Sequence, residues 1–501
     1  MTFKRSSGIL LHPTSLPGPD GIGDLGPEAY RWVDFIADSG CTYWQILPLN
    51  PTGYADSPYQ CFSAFAGNPY LVSAALLLNE GLLLPQDLAD RPSFPDELVD
   101  FGPVIEWKRK IVKRSYEHFI QSSQSALRAE FQEFQANHAG WLPEYALFTA
   151  IKEENGGCSW VDWPQEYRSR VPAVLEKFKE THARQIDEVT YAQFLFFRQW
   201  KALKNYANDR GLLIIGDIPI FIAHDSADAW VSPHMFTLNP DGSPSFKAGV
   251  PPDGFSETGQ LWGNPHYRWE AHRASGYEWW INRITSCLET VDIIRLDHFI
   301  GFCRYFEIPG DSQTAEIGEW KQGPGEDLFQ AIKDRLGKLP LIAEDLGAVV
   351  PSVTALLEKF ELPGMRILTF AFYGDSANTF LPHHYVRNTV AYTGVHDNDT
   401  AVGWFNNSTE EQKAYCKEYL GTDGRDIAWD LLRSIWSSVA NMAIAPMQDF
   451  LRLGTEARMN YPGTQSNNWR WRMRLDYQAH NLQRDIRRLN QLYSRMNQPG
   501  S

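Results

Sequence analysis

Three observations predict a (β/α)8 TIM barrel, an α/β fold, for this chain of 501 residues. Eight short apolar runs rich in β-branched residues end abruptly on polar groups, which is how buried parallel strands read. Helical patterns separate these runs, as crossovers between parallel strands require. Three of the runs, IIRLDHF, LIAEDLG and YTGVHDND, stop on the acids Asp297, Glu344 and Asp397. The ends of barrel strands converge on one face however far apart they lie in sequence, so these acids are candidates for a shared site.

The first strand is Gly8 to His12. Pro27 then opens a helix whose Ala29, Trp32, Val33 and Ile36 share one face until Gly40 stops it, and Trp44 to Leu49 completes a β-α-β unit. Further strands are expected at Leu212 to Phe221, Asp292 to Leu296, Leu341 to Glu344, Ile367 to Phe372, Val390 to Gly394 and Met442 to Met447. Residues 1–501 are expected to form a single catalytic barrel with insertions on the C-terminal face of the strands, because some intervals far exceed ordinary barrel loops. About 56–200, with patterns such as IEWKRKIVKRSYEHFI, reads as a largely helical subdomain plus one barrel helix. About 225–280, rich in Gly, Pro and Trp, reads as loop-rich, with 249–265 as a cover for the site; about 304–335 is a third, small insertion. After the eighth strand Leu482, Ile486, Leu489 and Leu492 mark a last amphipathic helix. No run of short strands follows it, so no C-terminal β-sandwich is expected.

Hydrophobic residues make up 43% and charged residues 21% of the chain, the balance of an ordered globular protein. A formal charge of -15 repels polyanions, which argues against nucleic acid and favours an uncharged substrate. The six cysteines are scattered, without a CxxC pair or histidines at zinc spacing. The amino terminus lacks a signal-peptide core and no apolar stretch approaches membrane-spanning length, so the expected location is cytoplasmic. No obligate protein partner is indicated.

Cleaving an acetal between sugars with retention takes one carboxylate as nucleophile and a second carboxyl, kept protonated, to protonate the departing oxygen. Asp297 suits the nucleophile, because Arg295 sits two residues earlier on the same strand face and orients its oxygens. Glu344 suits the acid/base: it is longer, and the neighbouring Asp345, Ile342 and Leu346 are expected to raise its pKa. Asp397, beside His396, is placed to bind sugar hydroxyls and favour an oxocarbenium-like transition state. Any one of these motifs alone is more often a capped helix start or a surface ion pair. Three in order on separate strands carry the inference. The 18 tryptophans and 21 tyrosines are mostly core, with the remainder available to stack on sugar rings.

Arg295-Leu296-Asp297, Glu344 and His396-Asp397, together with LHPTSLPG, WQILPLNPTG, SPYQCFSAFAGNPYL, GDIPIFIAHDSADAW and PPDGFSETGQLWGNP, carry a resemblance over nearly the whole chain. The sequence resembles the α-amylase superfamily of retaining glucanases and, more narrowly, the 4-α-glucanotransferases of glycoside hydrolase family 77. The resemblance implies transfer of α-1,4-glucan segments between maltooligosaccharides, as donor and acceptor, through a covalent glycosyl-enzyme, with closure to cycloamyloses as a further outcome. It implies that Asp297 is the nucleophile, Glu344 the acid/base and Asp397 the transition-state stabiliser. Ser57, Tyr59, Asp217, Arg295, His298 and His396 match its substrate-binding positions, as do Asp253, Gln260 and Trp262 on the mobile segment and Asn467 after the last strand. Tyr54 matches an aromatic of a second, remote glucan groove. One departure is informative: Asp217 is followed by Ile218 to Ile222, so the Asn-His with which amylases bind calcium is missing. No metal and no cofactor are therefore expected. An α-glucan hydrolase using the same acids, or a non-catalytic glucan-binding protein, remain the alternative readings.

Overall fold

The computed structural model describes residues 3–252, 256–347, 350–478 and 481–497. Eight parallel strands form its centre: β1 (Ser6–Leu10), β2 (Tyr43–Gln45), β3 (Leu213–Ile218), β4 (Ile293–Leu296), β5 (Leu341–Ala343), β6 (Gly364–Ile367), β7 (Thr389–Tyr392) and β8 (Met442–Pro446). They pair in the order β6-β7-β8-β1-β2-β3-β4-β5. The seam between β5 and β6 is closed by the Ala343 N–H donating to the Pro363 carbonyl at 3.0 Å and by the Met365 N–H donating to the Asp345 carboxylate at 2.7 Å. This is a (β/α)8 barrel.

Side-chain alternation along the strands aims the chemistry. Ile293, Ile215, Ile342 and Tyr392 fill the barrel interior, whereas Ile294, Leu296, Ile214 and Ala343 pack outward against the helices. Two residues on from each inward position come Arg295 and then Asp297 from β4, Asp217 in β3, and Glu344 after β5. The catalytic candidates are the last members of the inward-facing rows, where the apolar core meets the open end.

Among the helices between strands are α1 (Pro27–Asp38), α2 (Ala183–Asp209), α3 (Glu278–Thr290), α4 (Glu326–Leu336), α5 (Pro351–Phe360) and α6 (Ile427–Ser437), and α7 (Leu482–Leu492) follows β8. The interval before α2 holds the helices Phe101–Gln121, Ser125–Asn137, Leu142–Glu154 and Pro172–Thr181. An aromatic cluster including Phe119, Phe131, Tyr191 and Phe194 binds several of them to α2.

Three elements differ from the sequence expectation. The sixth strand is not Ile367 to Phe372 but Gly364–Ile367; the apolar run continues as a largely buried 3-10 turn at Leu368–Phe372, whose Thr369 N–H still donates to the Thr393 carbonyl at 3.2 Å. Within 304–335, Glu326–Leu336 is the barrel helix before β5 and not part of an insertion. The segment 249–265, expected as loop, is in large part strand: Phe246–Val250, Gln260–Pro265, Arg304–Pro309 and Glu319–Gln322 make a four-stranded antiparallel sheet. Phe246–Val250 pairs with Gln260–Pro265 on one edge and, on the other, with Arg304–Pro309 from beyond β4, a pairing that local sequence could not announce.

Gly364 tests the seam. A Cβ there would lie 2.5 Å from Asp345 Oδ2, so Gly364→Ala must displace the carboxylate that ties β5 to β6. A loss of about 2 kcal/mol in urea unfolding is expected. Among the described residues no helix is long and apolar enough to cross a membrane.

Candidate active site

β3 and β4 run side by side with Asp217 opposite Arg295. The Arg295 guanidinium donates to both oxygens of Asp217 at 2.8 and 2.7 Å, and the same nitrogen lies 3.0 Å from Asp297 Oδ1. The Asp217 side chain has no exposure, whereas that of Asp297 is 27% exposed at the open end. Tyr59 completes the Asp217 shell, its hydroxyl donating to Oδ2 at 2.7 Å. Both Asp217 oxygens therefore have partners inside the protein, and the side chain positions Arg295 and Tyr59. Burial pushes its carboxyl up while Arg295 pulls it back.

Glu344 stands on the next strand over. Its Oε2 accepts the His298 N–H at 2.8 Å and its Oε1 the Leu346 N–H at 2.9 Å. The Phe299 N–H in turn donates to the Glu344 carbonyl at 3.0 Å, so Glu344 is fastened to the peptide that follows Asp297. Burial pushes its carboxyl up to about 8; Asp297 adds to the rise, and Arg295 and the two N–H groups oppose it. The neighbour invoked from sequence, Asp345, is not the cause. It faces away, accepting from Met365 and from Arg366 at 3.0 Å. A carboxyl held protonated at neutral pH beside an ion-paired carboxylate is the division of labour that retaining glycoside chemistry needs.

Asp397 lies on the loop after β7. Its Oδ1 is 3.4 Å from His396 Nε2 and accepts from the Asn460 side chain at 2.6 Å, while Arg458 donates to its carbonyl at 2.7 Å. Partial loss of water pushes this carboxyl up, but His396 and Asn460 outweigh that and hold it well below the usual range. The His396 ring stacks on Tyr59 at 5.0 Å, which joins this loop to the Asp217 shell. Asp449, at the foot of the loop after β8, clamps both loop ends, accepting from the Thr393 hydroxyl at 2.5 Å and the Ala401 N–H at 2.7 Å. Asn460, Arg458 and Asp449 were not legible as site residues. Each acts on Asp397 through a fold contact and none sits in a motif.

The remaining candidates fall in different places. Trp262 stands edge-on to His298 at 4.9 Å, and its indole N–H donates to Gln260 at 3.1 Å. Gln60, not singled out from sequence, ties this strand to the loop after β2 by donating to Asn264 at 3.1 Å. Burial pushes His298 down to about 4, leaving a neutral ring with one donor and one acceptor. Ser57 accepts the Tyr59 N–H at 3.2 Å and so shapes the turn that carries Tyr59. Tyr54 is 64% exposed on that loop. Asn467 is exposed and accepts from Arg470 at 3.3 Å, so it is Asn460, not Asn467, that bonds to an acid of the site. Asp253 lies outside the described residues.

Comparison with known proteins agrees with this geometry. A family model for 4-alpha-glucanotransferase, glycoside hydrolase family 77, matches residues 11–477. The 4-alpha-glucanotransferase of Synechocystis sp. is 46% identical over 499 residues, 99% of each chain. That of Thermus thermophilus is 47% identical over 481 residues, covering 94% of this chain and 95% of its own. A solved amylomaltase from Streptococcus agalactiae, in complex with acarbose, aligns with a TM-score of 0.96 at 40% identity, covering 99% of this chain and 100% of that one. With its barrel, its three acids and similarity over almost its full length, the chain belongs to the 4-alpha-glucanotransferase family, glycoside hydrolase family 77.

Proposed function

We propose that the chain is a 4-α-glucanotransferase that moves α-1,4-glucan segments between maltooligosaccharides by retaining double displacement. The observation that carries the reading is the unequal pair, Glu344 raised by burial and Asp297 ion-paired to Arg295. Glu344 gives its proton to the glycosidic oxygen as the C–O bond breaks, and Asp297 attacks the anomeric carbon to form a glycosyl ester. The departing chain leaves with that proton. The Glu344 carboxylate then takes the proton of an acceptor 4-hydroxyl, whose oxygen displaces Asp297 and restores the starting state. Asp397, kept ionised by His396 and Asn460, offers a negative charge to the oxocarbenium-like transition state and acceptors for sugar hydroxyls.

Transfer in place of hydrolysis requires a sugar hydroxyl to win over water. The Gln260–Pro265 strand is suited to this, since it sets Trp262 against His298, one residue from the nucleophile, as a flat apolar wall. Removing the wall in Trp262→Ala is expected to raise the ratio of new reducing ends to transfer events about tenfold. The decisive experiment is incubation with maltotriose. Transfer redistributes chain lengths at a constant number of reducing ends, and a steady rise in reducing ends would instead make the protein a hydrolase. We place it in the cytoplasm, a reducing compartment that suits its six free cysteines.

A further inference from the structure

Between the helical insertion and α3 lies a cleft of about 420 Å³ that is lined by none of the residues assigned to the reaction. We infer that this cleft is a second carbohydrate site, taking one or two glucose units of a short, neutral maltooligosaccharide. The sugar class follows from the cleft itself; the choice of glucose units rests on the proposed function.

One wall is a stripe of α3. Trp279, Asn282, Ser286 and Glu289 follow one another at steps of three and four residues, which puts them on a single helix face, and all four line the cleft. The opposite wall is the turn between the helices Ser125–Asn137 and Leu142–Glu154, which contributes Asn137 and Trp141. Phe65 lies between them, edge-on to Trp279 at 6.1 Å. Trp141 and Trp279 are both partly exposed, so the concavity has open aromatic surface on each side. A pyranose is recognised by two features together: flat apolar surface for its C–H faces, and groups that both donate and accept for its hydroxyls. The side chains of Asn137, Asn282 and Ser286 have no hydrogen-bond partner among the described residues and supply the second feature.

Charge selects the ligand further. Among the described residues lining the cleft there is no lysine or arginine. Glu144 is committed to Arg170 at 2.7 Å and Asp228 to the Ala64 N–H at 2.8 Å, leaving the exposed Glu289 as the free acid. The cations nearest its acids are Arg170, paired to Glu144, and Lys201 and Lys204, which act on Glu289; none lines the cleft itself, so a neutral polyol is matched better than an anion. The volume falls within the roughly 300–1,000 Å³ of small-molecule sites, at the end suited to one or two rings.

The test is calorimetric titration of maltose into the full-length Asp297→Asn protein, alone and with a cleft substitution added. At least two classes of site are expected, the active site and the cleft. Adding Asn282→Ala should weaken one of them about tenfold, and Ser286→Trp, which fills the cleft, should abolish the same one. In the otherwise unaltered enzyme Asn282→Ala should leave maltotriose redistribution unchanged. One class of site, or two classes that neither cleft substitution moves, would overturn the inference. Failure of the transferase reading is distinguishable, because it appears as absent maltotriose redistribution with both maltose sites retained.

Discussion

Asp297→Asn is expected to lower maltotriose redistribution by about 10⁴-fold while leaving the unfolding midpoint near that of the parent protein. The amide is nearly isosteric but cannot form the glycosyl ester, and the acids on the neighbouring strands are already engaged. Asp217 has its oxygens taken by Arg295 and Tyr59, and Glu344 is bound to the N–H groups of His298 and Leu346. Stability should change little because Asp297 is partly exposed and Arg295 keeps both contacts to Asp217. The measurement is product analysis by chromatography beside a urea titration. An Asp297→Asn protein that retained a tenth or more of the parent's rate would place the covalent step on another residue.

Glu344→Gln has the second-largest expected effect, and it separates activity from stability. The rate should fall by about 10²–10⁴-fold, since the leaving oxygen loses its proton donor. Stability should move the other way as pH rises. The carboxyl titrates near 4.5 when unperturbed and near about 8 in the folded protein. Across that window the folded chain holds a proton that the unfolded chain has released, so the parent's stability falls as pH rises and levels off above about 8. Glutamine carries no titrating proton and removes this slope. The variant should therefore gain on the parent between pH 5 and pH 9, by at most a few kcal/mol at roughly 1.4 kcal/mol per pH unit. Thermal melts of both proteins across pH check it. Parallel curves would mean that Glu344 is not the raised group. In the parent, transfer activity should also fall as pH passes through about 8, because the group that must donate a proton has lost it.

Asp397 runs in the opposite sense. Its folded pKa is held down by His396 and Asn460, so its contribution to stability is present at neutral pH and is lost as pH falls below the ordinary carboxylate range. The two acids thus load stability in opposite senses, and together they suit the fold best near the ordinary carboxylate range, where Asp397 is still ionised and the unfolded chain has not yet released the proton that Glu344 keeps.

What was legible from sequence is what strand periodicity and local chemistry encode. The barrel follows from buried runs and crossovers, and the inward direction of Asp297 and Glu344 follows from counting in twos from Ile293 and Ile342. The sixth strand was misplaced because LTFAF is as apolar as a strand; the pairing of Gly364–Ile367 with β7 and the fit of Gly364 against Asp345 are contacts between distant segments. The sheet that holds Trp262 was missed because its strands come from both sides of β4.

By itself, then, the sequence determined the barrel and the family resemblance and nominated the three acids and the arginine beside one of them, because each rests on residues within a few positions of one another or on a fixed strand period. Only the tertiary structure decided the working surroundings. It set Asp217 beneath Arg295 and Tyr59, replaced Asp345 by burial and Asp297 as the causes of the raised Glu344, and brought Asn460 to Asp397. The physical reason is common to all three. A pKa or a hydrogen bond depends on which groups share a few ångströms of space, and in a barrel those groups arrive from strands that are far apart in sequence.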